Sequence, residues 1–343
     1  MTVLYRKYRP QSFKEVLGQE EVVAALTGAL SQDRVAHAYL FAGSRGTGKT
    51  SVARIFARAL ETNEADLYEI DAASHRQIDD IRALREAVIA PPFASRFKVY
   101  ILDEVHMLTR DAWNALLKTL EEPPPHALFI LATTEYEKVP ETVLSRCQTF
   151  RFKKPSQKAL KETVERVAEK EGYVIEAPAA ELVALLAEGS YRDAQGVLEK
   201  AVNVSSHKKI TLAAVELVTG APRAQLVVKF VDALEKQDRE AALSILGEVV
   251  KNNYDAALFA RLLLMRLRAI LLLRNAPKIA SEMSGEMTPE EFAFLLQCAT
   301  RKESRINSAL LLEFLSASHL MRTALIPELP LELAVIRLTG QNT

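Results

Sequence analysis

Residues 43–51 read GSRGTGKTS and fill the pattern G-x-x-x-x-G-K-[ST] without a gap: Gly43, four residues, then Gly48, Lys49 and Thr50. This run constrains the fold because it works only between a strand and a helix. Its glycines let successive backbone N–H groups converge on phosphate oxygens, and the following helix adds its positive end. Both flanks fit. AYLFAG (38–43) is a short apolar run ending in glycine, and KTSVARIFARALE (49–61) spaces its apolar residues as a helix does. In this reading Gly43, Ser44, Gly46, Thr47, Gly48 and Ser51 surround the phosphates, Lys49 reaches the β- and γ-phosphates, and the Thr50 hydroxyl ligates Mg²⁺. The alternative is a glycine-rich turn with a chance Lys-Thr, and the two flanks argue against it.

A phosphate loop needs an acidic partner, and KVYILDEVH (98–106) supplies one. Asp103 and Glu104 end an apolar strand. Asp103 is placed to hold Mg²⁺ through water, and Glu104 to orient or deprotonate an attacking water. An Asp-Glu pair alone is usually a solvated turn. Here it closes an apolar strand downstream of a complete phosphate loop. ATP with Mg²⁺ is the expected ligand and hydrolysis the expected reaction. A small-molecule kinase needs a second substrate pocket, and no segment suggests one.

Strand-like runs recur at DLYEIDA (66–72), FKVYILDEVH (97–106) and HALFILATTE (126–135), with helical spacing between them, as in DAWNALLKTLEE (111–122). Apolar strands alternating with helices imply an α/β domain with a parallel sheet covered on both faces. After RFKKP (151–155) the pattern is helical only. Pro155 and TGAPR (219–223) mark domain boundaries, and breaks are expected near NAPK (275–278), MTPEE (287–291) and IPELP (326–330). Forty-four Lys and Arg balance forty-four Asp and Glu. That excludes a chain coated in base, though not a local phosphate-binding surface. Cys147 and Cys298 lack CxxC partners, which argues against a disulfide framework. The greasy stretch at 258–274 is broken by Arg261, Arg266 and Arg268, so a core helix is expected rather than a membrane span. MTVLYRKYRPQSF has no apolar run of the signal-peptide kind. A cytoplasmic location is expected.

Several further segments occur in a telling order: YRKYRPQSFKEVLGQE (5–20), EIDAASH (69–75), DEVHMLTRDAWNALLKTLEEPP (103–124), FILATTE (129–135), LSRC (144–147) and GSYRDAQGVLE (189–199). This set resembles the AAA+ ATPases of the clamp-loader branch, and within it the gamma/tau subunits of bacterial DNA polymerase III. The resemblance is strong over residues 1 to about 220 and weaker beyond, where IPELPLELAVIRL (326–338) carries it. It implies an AAA+ ATP-binding domain over 1–155, a small helical lid over 156–220 and an all-α collar for oligomerisation over 221–343. The implied assembly is a hetero-pentamer of clamp-loader subunits acting on a sliding clamp and primer–template DNA.

The resemblance also implies roles at matching positions. Thr133 and Thr134 stand where the family has its first nucleotide sensor, with Thr134 favoured by its spacing to LSRC. Arg192 matches the second sensor. Tyr8, Arg9, Pro10, Val16 and Leu17 match the adenine pocket; plain packing of an N-terminal arm is the other reading. Arg146, in Ser-Arg-Cys, matches an arginine finger that reaches in trans into a neighbour's ATP site. His75, Arg76, Thr109 and Arg110, at two expected helix starts, are candidates for DNA phosphates; solvated helix starts are the other reading. Trp113 is expected in a core or interface rather than stacked on a base.

One departure from the family pattern matters. The gamma/tau subunits carry a four-cysteine zinc module between the phosphate-loop helix and EIDAAS, whereas ARALETNEADLYEIDAAS (57–74) has no cysteine. Structural zinc needs thiolates or imidazoles in fours, so no zinc is expected. Two other readings fit less well. A homohexameric DNA motor of the branch-migration type is disfavoured by LLKTLEEPP together with SRC. A non-hydrolysing scaffold subunit should have a damaged phosphate loop, and this one is intact.

Overall fold

The computed structural model describes residues 3–276, 278 and 289–340. The expected breaks at NAPK and MTPEE lie partly outside them. The chain forms two compact units, residues 1–167 with 184–196, and residues 168–183 with 197–343.

The first unit contains α1 (Leu4–Lys7), α2 (Glu20–Ser31), β1 (Ala38–Ala42), α3 (Lys49–Ala59), β2 (Leu67–Asp71), α4 (Ile78–Ile89), β3 (Lys98–Asp103), α5 (Arg110–Glu121), β4 (Ala127–Thr133), α6 (Glu141–Leu144) and β5 (Gln148–Arg151). The strands form one sheet in the order β2-β3-β4-β1-β5, parallel throughout. Burial explains the order. β1 and β4 are buried at every position and β3 at all but its last, as continuous apolar runs require in the middle of a doubly covered sheet. β2 and β5, which carry more polar side chains, take the edges.

Alternation along the strands feeds two cores. Tyr100, Leu102, Phe129 and Leu131 pack with Leu84, Val88, Leu116 and Leu120 of α4 and α5. Val99, Ile101, Leu128 and Ile130 pack on the opposite face with Val22, Leu26, Val52 and Phe56 of α2 and α3. Trp113 is buried in the first of these cores, as expected. Phe41 and Phe56 are fully buried beneath the phosphate loop's strand and helix, and each contributes about 1.5–3 kcal/mol by leaving water. The carboxyl ends of β1, β3 and β4 therefore sit on a rigid platform, at the sheet edge where parallel α/β folds place ligands.

Between α3 and β2 the chain needs only residues 60–66. Asp66 is buried there and accepts backbone N–H groups from Phe93, Ala94 and Ser95. Burial pushes its carboxyl up, but these donors and the Ser95 hydroxyl outweigh that and hold it down at about 2. The sign follows from linkage: a depressed folded value stabilises the native state above the unfolded value near 4, and that stability is lost as pH falls toward 2. Asp66→Asn is therefore expected to lower Tm by roughly a few degrees at pH 7. The mutant's deficit should shrink between about pH 4 and pH 2, read from thermal melts across that window. A deficit independent of pH would show that the carboxylate is not what anchors this loop.

From Gln157 the described chain is mostly helical: α7 (Gln157–Lys170), α8 (Ala177–Leu186), α9 (Tyr191–Val204), α10 (Leu212–Thr219), α11 (Ala224–Lys236), α12 (Arg239–Lys251), α13 (Ala256–Asn275), α14 (Pro289–Thr300), α15 (Ser308–Leu320) and α16 (Leu329–Thr339). The expectation of helices alone over 156–220 needs correction, because β6 (Val174–Ile175) pairs in parallel with β7 (Lys209–Ile210). Two-residue strands are too short to leave a period in the sequence. In the second unit Phe230, Phe259 and Phe314 meet edge to face, with centroids 5.3 and 5.8 Å apart. Helix α13 is the expected core helix. Leu262, Leu263, Leu267 and Ile270 are buried, while Arg266 pairs with Glu291 and Arg274 donates to the carbonyls of Cys298, Ala299 and Ile306. Among the described residues no helix is long and apolar enough to cross a membrane.

Candidate nucleotide-binding site

The phosphate loop leaves β1 and enters α3, and its backbone is anchored at both ends. The Gly43 N–H donates to the Thr133 carbonyl at 3.1 Å, and the Gly46 carbonyl accepts the Tyr191 N–H at 3.0 Å. Gly46 has φ +74°, and a Cβ added there would lie 1.9 Å from Ser190 Oγ. No other residue type fits that approach. Gly48, the N-cap of α3, has φ 100°. The start of α3 is thereby aimed along the loop, with its N–H groups free of side-chain capping bonds.

Lys49 is buried, and its Nζ donates to the carbonyls of Gly43 (2.7 Å) and Ser44 (3.0 Å). Burial pulls its pKa down, while Glu104 and Asp103 push the other way and Arg192 adds to the lowering. The Thr50 hydroxyl donates to Asp103 Oδ2 at 2.7 Å. Asp103 Oδ1 accepts the Glu104 N–H at 3.0 Å. Glu104 itself adopts φ 51° and ψ 43°, an uncommon conformation for a glutamate. Its Oε2 accepts the Thr134 hydroxyl at 3.0 Å. The structure therefore brings Thr134 to the acid pair, while Thr133 Oγ1 accepts the Glu135 N–H and contacts His106.

Most of the remaining predicted residues line one pocket of the first unit. Tyr8, Arg9, Pro10, Val16 and Leu17 share it with Gly46, Thr47, Gly48, Lys49, Thr50, Ser51, Asp103, Glu104 and Arg192. Five cationic side chains, Arg9, Arg45, Lys49, Arg166 and Arg192, face three carboxylates, Glu15, Asp103 and Glu104. An excess of positive charge in a concave site suits a polyphosphate. Burial lowers the Arg9 pKa, and the nearby cations Arg54, Arg192 and Arg6 add to that against the opposing pull of Glu69. An anion would relieve this crowding. Arg192, near the start of α9, places its guanidinium 5.6 Å from the Tyr5 ring centroid, a cation–π distance.

Sequence reasoning did not single out Tyr5, Arg45, Thr163, Arg166, Tyr191 and Gln195, which also line the pocket. Tyr191 stood beside a predicted residue in GSYRDA. Thr163 and Arg166 lie in a helix of ordinary spacing, which carries no local signal.

The donor set fits magnesium. That ion takes one or two carboxylates with hydroxyl, water and phosphate oxygens, and Thr50 and Asp103 offer such a pair at the mouth of the loop. Among the described residues no cluster of three or more His, Cys, Asp or Glu could hold a metal by itself.

Arg146 lies outside this pocket. It follows α6 and donates to the Thr142 carbonyl at 2.7 Å, and it pairs with Glu121 Oε1 at 2.8 Å. The four DNA candidates are exposed. The structure brings them together, because the Thr109 N–H donates to the Arg76 carbonyl at 3.1 Å. Thr109 caps α5 through the Ala112 N–H. Gln77 and Asp80 form a capping box on α4, and His75 Nδ1 is 3.4 Å from Asp80.

The chain is 39% identical over 310 residues to the DNA polymerase III subunit tau of Bacillus subtilis, an alignment covering 84% of this chain and 55% of that protein. Over this alignment the chain resembles the DNA polymerase III gamma/tau subunits. The gamma/tau subunit of Mycobacterium tuberculosis is 37% identical over 362 residues, covering 98% of this chain and 62% of the relative. The tau subunit of Escherichia coli is 37% identical over 85% of this chain and 49% of its own length. The chain thus spans about half the length of the curated gamma/tau relatives it matches. A family model for the DNA polymerase III delta subunit matches residues 18–69 and 60–156. Among solved structures, the RuvB Holliday junction branch migration motor of Thermotoga maritima superposes with a TM-score of 0.53 at 25% identity, over 66% of this chain and 78% of that one. The chain therefore has the AAA+ fold, with its parallel five-stranded sheet and helical C-terminal region.

Proposed function

We propose that the chain is the ATP-hydrolysing motor subunit of a DNA polymerase III clamp loader, coupling ATP binding and hydrolysis to placement of a sliding clamp on primed DNA. One observation carries the reading. Lys49, the Thr50–Asp103 pair and Glu104, whose carboxylate accepts the Thr134 hydroxyl, line one cationic pocket, while Arg146 lies outside it. A scaffold that never hydrolyses ATP has no need for a carboxylate held this way. The likeness to a branch migration motor supports a DNA-motor fold, but the gamma/tau relatives are the more similar in sequence.

In this reading Tyr8, Pro10, Val16 and Leu17 hold the base, with Arg9 beside them, and the loop amides hold the phosphates. Lys49 and Arg192 offset negative charge at the γ-phosphate. Thr50 and Asp103 would hold Mg²⁺, which would supply further neutralisation of phosphate charge. Glu104, oriented by the Thr134 hydroxyl, accepts a proton from the attacking water. Arg146 serves the neighbouring subunit's site, so a lone chain is an incomplete enzyme. The adjoining starts of α4 and α5 present His75, Arg76, Thr109 and Arg110 to DNA phosphates, which helix N-termini can bind without net positive charge. We assign residues 1–155 to the ATP-binding domain, 156–220 to a lid and 221–343 to an oligomerising collar.

Native mass spectrometry on the chain purified from its own cells, with a non-hydrolysable ATP analogue, tests this reading. The expected species is a hetero-pentamer containing several copies of this chain and two other related chains. A homomeric six-membered ring would replace the clamp-loader reading with a ring motor.

A further inference from the structure

One buried side chain braces this site from behind. His106 lies two residues past Glu104, in the turn after β3, and its ring is only 7% exposed. Its Nδ1 is 3.1 Å from Thr133 Oγ1, and its Nε2 is 3.2 Å from Glu135 Oε1. Those two residues flank Thr134, whose hydroxyl donates to Glu104. The imidazole is 3.5 Å from Glu104 Oε2 itself, too far for a good direct hydrogen bond. It therefore reaches the carboxylate chiefly through the strand tip.

Nδ1 shares a hydrogen bond with the Thr133 hydroxyl, and Nε2 faces the Glu135 carboxylate at ion-pair distance. Thr133 Oγ1 in turn accepts the Glu135 N–H at 3.0 Å. Lys138 binds the other Glu135 oxygen at 2.9 Å, and that bond, with a lesser pull from His106, holds the Glu135 carboxyl below its usual range. His106 is thus flanked at both nitrogens, by the Thr133 hydroxyl and the Glu135 carboxylate.

We propose that His106 is a positioning residue for ATP hydrolysis: it grips the tip of β4 on both sides of Thr134 and so fixes the Thr134 hydroxyl against Glu104. This rests on the reading of Glu104 as the group that accepts the water proton. The physical need is clear in the backbone. Glu104 sits in a left-handed conformation that places its carboxylate only as well as its partners hold it. A misplacement of about 1 Å costs roughly 10²-fold in rate.

The test is a double-mutant cycle on the assembled complex with primed DNA, reading kcat for ATP and the affinity for a fluorescent ATP analogue. His106→Ala should lower kcat by about 10-fold, with analogue affinity within about 2-fold. Thr134→Val should lower kcat by at least as much. Because His106 acts through Thr134, the double variant should lose no more than Thr134→Val alone. Losses that multiply, or a His106→Ala variant that loses nucleotide affinity instead of kcat, would overturn the proposal. His106→Gln, which retains a donor toward Glu135, should recover part of the rate and serves for the same cycle if the alanine variant does not fold. Glu104→Gln is run alongside. If it retains turnover, the hydrolysis reading falls. If it abolishes turnover while His106→Ala is silent, only the present inference falls.

Discussion

Lys49→Ala is expected to abolish nucleotide binding and ATP turnover together, raising the Kd for an ATP analogue by at least about 100-fold. The side chain is buried at the mouth of the phosphate loop, where its ammonium donates to the Gly43 and Ser44 carbonyls. Burial works against that charge, and the Asp103 and Glu104 carboxylates work for it. A cation already stripped of much of its water interacts more strongly with a phosphate than a solvated one does. Losing it leaves Asp103 and Glu104 facing the triphosphate with one fewer opposing charge, so repulsion adds to the lost attraction. Removing a single preorganised charge-stabilising group typically costs 10²–10³-fold in rate, about 2.7–4 kcal/mol. Titration of the assembled complex with a fluorescent ATP analogue, followed by an ATPase assay, measures both effects. Affinity and turnover within a few-fold of the parent would remove Lys49 from the phosphate site. The same variant should load no clamps.

The parts of this site legible in the sequence are those whose chemistry is local. Gly48, Lys49 and Thr50 are consecutive, and their spacing alone fixes a strand–loop–helix setting, which the structure has in β1 and α3. Asp103 and Glu104 announce themselves by ending an apolar run. Arg192 is different. Nothing near it marks it as more than a polar residue at a helix start, and only the family resemblance joined it to a loop more than a hundred residues earlier. Thr163, Arg166 and Gln195 were illegible for the same reason, since their link to the pocket is purely tertiary. His106 lies inside the acidic motif yet gives no signal, because its partners are Thr133 at the end of another strand and Glu135 just past it. The fold follows the same division. Doubly buried strands such as β4 declare themselves by composition, whereas β6 and β7 are made by pairing alone.

Arg146→Ala should separate binding from hydrolysis. Analogue affinity should stay within about 2-fold of the parent, because the arginine lies outside the pocket of its own chain, while DNA-stimulated turnover of the assembly should fall by about 10³-fold or more, the contribution of an arginine finger at a phosphoryl-transfer site. Instability is a poor rival explanation. The Arg146–Glu121 pair is partly solvent-exposed on both sides, and such pairs contribute only ~0–1 kcal/mol. Nor does the pair prevent reach into a neighbour: a surface ion pair of that strength exchanges readily for a phosphate oxygen, which offers the guanidinium a charge-assisted bond of similar geometry. Mixed assemblies sharpen the test. A Lys49→Ala subunit keeps a working arginine but no site of its own, and an Arg146→Ala subunit keeps a site but no arginine to lend. Assemblies reconstituted from both variants should therefore recover part of the turnover that each lacks alone, at junctions where the intact arginine faces the intact site. If Arg146 acted within its own chain, every such junction would still hold one dead site and one site without its arginine, and mixing would recover nothing.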